Sequence, residues 1–219
     1  MQARPIPTHP GFWPPEAFIE SGDLAIVQEA KNAVRQAAGS REKAERLTRH
    51  VNGLLEKKPT VSLPSAREVL RTKVGDCNEH TVLYVAMARA LGIPARIAVG
   101  MTYVRGAFYY HAWPEVYLEE GGGRGYWLPV DRTLNQFPAD GTHLRLARGG
   151  LDKQSVVLPM IGRIKMQILD LELAPGSMPG LAGRTPTDMT PLSIPIPQRS
   201  AGGCWSSPPP SPPPTRRAR

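Results

Sequence analysis

Val74-Gly75-Asp76-Cys77-Asn78-Glu79-His80 places a cysteine directly after a glycine break and directly before a helical run. In that run Leu83, Met87 and Leu91 lie four apart beside Val82, Ala86 and Ala90, so one face is apolar and deeply packed. Gly92 and Pro94 stop it. The pattern predicts a helix from about Asn78 to Leu91 with Cys77 at its N-terminus. Unpaired backbone N–H groups there favour an anion, and a thiolate is one, so the location can activate the sulfur. A cysteine at a helix start is more often structural than catalytic. What lies upstream and downstream therefore decides its reading.

Upstream the sequence is helical. Met1 to Pro15 is proline-rich, and residues 1–22 read as an extended arm. Asp23 caps a helix from Leu24 to about Ala38, with Val27, Ala30 and Val34 on its inner face. Gly39-Ser40 opens a second helix to about Lys57, striped by Ala44, Leu47, Val51 and Leu54. Ser65 and Glu68 have the spacing of a capping box for a short helix, Ala66 to Thr72. Downstream the period changes to two. Arg96–Val104, Ala107–Leu118 and Tyr126–Asp131 read as strands, the last two joined by a glycine-rich hairpin at 119–125. His143–Leu146 and Ser155–Leu171 alternate again and add strands. Pro114 donates no backbone N–H, which predicts an unpaired or edge position. Helices followed by antiparallel strands make an α+β domain over 23–173. Residues 174–219 turn to proline, glycine, serine and arginine, with a polyproline run at 208–214. This composition predicts a disordered tail able to dock a proline-reading partner.

Two strands answer Cys77. Tyr110-His111-Ala112-Trp113 offers a base, and Leu128-Pro129-Val130-Asp131 offers a carboxylate to orient it. The short hairpin makes these strands neighbours, so His111 and Asp131 can lie side by side. Cys77 would attack a carbonyl carbon and His111 would take the thiol proton. Asp131 would hold the second ring nitrogen. The Cys77 backbone N–H is an oxyanion donor. Trp113 and Tyr110 are candidates for lining the substrate pocket. Cys77 and His80 have the spacing of a zinc half-site, but no second Cys/His pair accompanies them, so no metal and no cofactor are expected. His80 and Glu79 are expected to bond near the site or pack at its rim. His9, His50 and His143 have no sequence partners that suggest chemistry.

The net charge of +8, with a pI near 9.8, reads as solubility, and part of it comes from tail arginines. No basic stripe with interleaved aromatics stands out in the folded part, so nucleic acid is not expected. No run of about 18 apolar residues crosses a membrane, and no apolar segment at the N-terminus reads as a signal. These observations predict a cytoplasmic protein. Cys77 and Cys204 are too few for a disulfide framework, and a bridge between them is not expected.

Four blocks in order resemble the transglutaminase-like core: 75–80, then Ala88-Arg89-Ala90-Leu91-Gly92-Ile93-Pro94-Ala95-Arg96, then His111-Ala112-Trp113-Pro114-Glu115-Val116, then Trp127-Leu128-Pro129-Val130-Asp131. The resemblance covers 65–137. It implies a papain-like α+β fold with Cys77, His111 and Asp131 as the triad and no metal in the chemical step. It also implies cysteine-dependent acyl transfer on amide bonds through a thioester, as in peptidases, amidases and protein-glutamine acyltransferases. The compact size favours a small microbial-type hydrolase or acyltransferase. The alternative within that family is a catalytically silent, peptide-binding module. Many relatives carry proline after the aspartate; here it is Arg132.

Overall fold

The computed structural model describes residues 15–58, 65–104, 107–121 and 124–149, together with 157, 159 and 163. The elements are α1 (Leu24–Ala33), α2 (Ser40–Leu54), β1 (Glu56–Lys57), α3 (Ala66–Thr72), β2 (Val74–Gly75), α4 (Cys77–Ala90), β3 (Ala95–Val104), β4 (Ala107–Gly121), β5 (Arg124–Pro129) and β6 (His143–Arg148). Of the expected strand at 155–171 only residues 157, 159 and 163 are described, and none of them is in a strand; the first part of the arm and the tail at 174–219 lie outside the described residues.

Helix α4 is the core of the domain. It is buried nearly all round, from Glu79 to Arg89, and not on one face alone. The reason is that α1, α2 and α3 pack on it from one side while β3 and β4 cover the other. Leu83, Val85 and Met87 are fully buried. Each apolar side chain of that size contributes about 1.5–3 kcal/mol on burial. Tyr84 donates its hydroxyl to the Ala44 carbonyl of α2 at 3.0 Å, and burial raises its pKa. Arg89, at the buried end, donates to the Ala95 carbonyl at 2.9 Å and pairs with Glu16 at 2.9 Å. Glu16 belongs to a tight turn, bridged to Ile19, so the last residues of the expected arm dock on the domain.

Helix α1 stops at Ala33, five residues short of the periodic pattern, because Gln36 turns the chain at φ 65 and Arg46 of α2 takes the Arg35 carbonyl. Helix α2 stops at Leu54, and β1 then pairs in parallel with β2, Lys57 opposite Gly75. Two-residue strands carry no periodicity, so the sequence could not show them. They pin the chain one residue before the start of α4.

The main sheet is antiparallel, in the order β5-β4-β3-β6. Ile97 and Val99 of β3 with Ala112, Val116 and Leu118 of β4 join the core beneath α4. Alternation puts His111, Trp113 and Glu115 on the opposite face. Pro114 sits on an inner strand, opposite Ile97, and not at an edge. Its carbonyl accepts from Val130 at 3.0 Å, just past the end of β5, so its missing N–H falls where that ladder is already ending.

Candidate active site

The start of α4 is built by a reciprocal cap. Asp76 accepts from the Asn78 backbone N–H at 2.9 Å, and Glu79 accepts from the Asp76 N–H at 3.0 Å. The capping box is therefore at Asp76–Glu79 and not at Ser65–Glu68. Ser65 makes no cap bond and donates its hydroxyl to Glu20 instead. Gly75 is required here: a Cβ on it would lie 2.2 Å from the Glu79 Cβ. The cap fixes Cys77, fully buried, as the first helical residue.

His111 and Asp131 meet as the sequence predicted, although Asp131 lies just beyond β5. It is held in a turn by mutual backbone bonds with Gln136. His111 Nε2 is 2.7 Å from Asp131 Oδ2, and both side chains are buried. The other carboxylate oxygen accepts the backbone N–H groups of Thr133 and Leu134 at 2.7 and 2.9 Å. Burial alone would raise the Asp131 pKa, but His111, His143 and Arg132 outweigh it and hold the carboxyl well below its usual range. The ionised carboxylate accepts, so His111 Nε2 carries the proton and Nδ1 is the basic nitrogen of the neutral ring. Burial depresses the His111 pKa, Arg132 and His143 add to that, and Asp131 opposes it.

Cys77 is tied to this pair through its backbone. Arg132, fully buried, donates to the carbonyls of Cys77 and Ala112, the latter at 3.0 Å. Thr81 donates to the same two carbonyls at 2.6 and 3.1 Å. The residue that departs from the family pattern thus clamps the cysteine helix to the histidine strand. Burial pushes the Arg132 pKa down to about 10. One expectation is overturned. Cys77 is disulfide-bonded, and no described cysteine is a thiol. The sequence holds one other cysteine, Cys204, which lies outside the described residues.

Trp113 is buried with its ring against both His111 and His143, at 6.0 and 5.1 Å between centroids. Tyr110 packs against the core side of the sheet, where burial and the Asp76 charge raise its pKa. His80 is buried with Nδ1 2.6 Å from the Asp76 carbonyl, and burial and Arg132 push its pKa down to about 3, so it stays neutral. His50 bonds Glu29 between α2 and α1 at 2.7 Å. His143 is the functional candidate that the sequence missed. Its Nε2 lies 2.9 Å from Asp131 Oδ2. One ring nitrogen of His111, one carboxylate oxygen of Asp131 and one ring nitrogen of His143 lie within 4.8 Å of one another, and such donors also bind divalent ions. Here both nitrogens already donate to the carboxylate, so an ion could enter only by displacing both protons.

The sequence model of the transglutaminase-like superfamily matches residues 27–132. This stretch belongs to the transglutaminase-like superfamily. The transglutaminase-like region takes in most of α1 and ends at Arg132, before His143. Among solved structures the chain is similar to a candidate cysteine protease from Cytophaga hutchinsonii, at 22% identity and a TM-score of 0.52, over 62% of this chain and 44% of that one. It is also similar to a candidate protease from Parabacteroides distasonis, at 19% identity and a TM-score of 0.40, over 52% and 24%. A third is the periplasmic domain of TgpA from Pseudomonas aeruginosa, at 23% identity and a TM-score of 0.39, over 51% and 43%. The chain spans less than half the length of each of these, and what it shares with the first is the fold. No curated protein matches the sequence. Among the described residues no helix is long and apolar enough to cross a membrane.

Proposed function

We propose that this transglutaminase-like domain is a cysteine-dependent acyl-transfer enzyme acting on amide carbonyls of proteins or peptides. The observation that carries the reading is the buried His111–Asp131 bond of 2.7 Å, clamped through Arg132 to the helix that begins at Cys77. Once its disulfide is reduced, Cys77 gives its thiol proton to His111 Nδ1 and attacks the carbonyl carbon. The Cys77 backbone N–H faces the developing oxyanion. The tetrahedral intermediate collapses as His111 protonates the leaving amine. The resulting thioester is released to water, as in a peptidase or amidase, or to an amine, as in a transglutaminase. No metal or cofactor enters this sequence.

The disulfide supports a second reading, a peptide-binding module whose cysteine is occupied. Intact-mass analysis separates the two readings. After reduction with dithiothreitol, a glutamine peptide or activated ester should leave an acyl adduct on wild type and none on Cys77→Ala. The same mass before and after exposure would favour the silent module.

A further inference from the structure

His143 opens β6, opposite Thr102 of β3. The β3–β6 register shifts between Val99 and Gly100, and β6 approaches so closely that a Cβ on Gly100 would lie 2.0 Å from the Leu144 carbonyl oxygen. This close approach carries His143 to the same Asp131 oxygen that binds His111. Its side chain is 3% exposed. On its other side Nδ1 lies 3.2 Å from the Asp140 carbonyl and 3.3 Å from the Asp140 carboxylate.

His111 has the Asp131 carboxylate at Nε2. His143 has an acceptor at each nitrogen, and only the doubly protonated ring donates to both. The charged groups around it are Asp131, Asp140, His111 and Arg132, which stands 3.8 Å from Asp131; its β3 neighbour Thr102 does not titrate.

We propose that His143 is a positioning residue for His111: as an imidazolium bridging Asp131 and Asp140, it fixes the Asp131 carboxylate and shares its charge, which keeps His111 a neutral imidazole. The role rests on the reading of His111 as the base. Burial alone would lower the His143 pKa, but Asp131 and Asp140 outweigh it and raise it, while His111 is lowered; the directions agree with the geometry.

The test is nitrogen-detected imidazole NMR titration of the reduced full chain: wild type, His143→Gln, His143→Ala and Asp140→Asn. His143→Gln keeps a donor for Asp131 and removes the charge. His111 should then titrate at higher pH, with up to about a tenfold change in its proton affinity, and the acid limb of Cys77 alkylation should move with it. His143→Ala should show the same shift and also a slower plateau, because Asp131 loses a donor. Asp140→Asn should shift His143 itself downward. Unchanged His111 titration in both His143 variants would overturn the proposal and leave His143 a structural contact. If His111→Ala leaves alkylation unaltered, the base assignment fails instead, and the His111 titration still reports on His143.

Discussion

One face of the sheet carries two buried carboxylates, each surrounded by cations, and they are built for different ends. Glu115, in the middle of β4, takes Arg96 at 2.7 Å and Arg148 at 3.3 Å, together with Arg145. Arg96 also stacks on Trp127, 3.7 Å from the ring centroid. Asp131, past the end of β5, takes two imidazoles and stands beside Arg132. Guanidinium groups keep their charge at any ordinary pH, so the Glu115 cluster is a fixed brace across β3, β4 and β6. Imidazoles change charge near neutrality, so the Asp131 cluster can move protons. The same carboxylate chemistry serves structure or reaction according to which cation it is given.

The comparison breaks first at the reacting groups. Cys77→Ala or His111→Ala should lower acyl transfer by about a thousandfold or more with the fold retained by circular dichroism. Glu115→Gln should leave the midpoints of the pH–rate profile in place and instead lower the unfolding free energy measured by urea titration, by about 3–5 kcal/mol for a charge cluster that loses one partner. A shifted profile in Glu115→Gln would erase the distinction drawn above.

Arg132→Met sharpens the comparison, because Arg132 belongs to the reactive cluster but acts through backbone carbonyls. It should cost about 2–4 kcal/mol in stability, since the carbonyls of Cys77 and Ala112 lose a buried donor. It should also reduce the alkylation rate of Cys77. Gly75→Ala should cost about 1–2 kcal/mol by forcing Glu79 out of the reciprocal cap.

The pH dependence of stability has a stated sign. His80 has a folded pKa of about 3 against an unfolded value near 6.5. The unfolded chain therefore binds its proton first, and stability falls as pH drops from about 6.5 towards 3, by up to about 1.4 kcal/mol per pH unit for this one site. His80→Gln should flatten that slope in urea titrations between pH 6.5 and 4. The smallest expected effect is from Cys204→Ser, which should leave the activity of the reduced protein unchanged.

How much of this was legible follows from the range of each signal. The cysteine helix, its neighbours and the three main strands show as periodicity, and His111 and Asp131 show because a hairpin joins their strands. Arg132 was visible only as a departure, and its two carbonyl partners are set by tertiary packing. His143 gave no signal, because its reach to Asp131 depends on a register shift between strands that are distant in sequence. The capping box was assigned to Ser65 because that residue has the right spacing, but Glu20 captures its hydroxyl from another segment.

The most direct measurement is the pH dependence of Cys77 alkylation by iodoacetamide in the reduced protein, read by mass spectrometry, with wild type beside His111→Ala. An activated site predicts fast alkylation well below the unperturbed thiol pKa of about 8.5, lost in His111→Ala. Alkylation that follows an ordinary thiol in both proteins would contradict the pairing of Cys77 with His111 and Asp131.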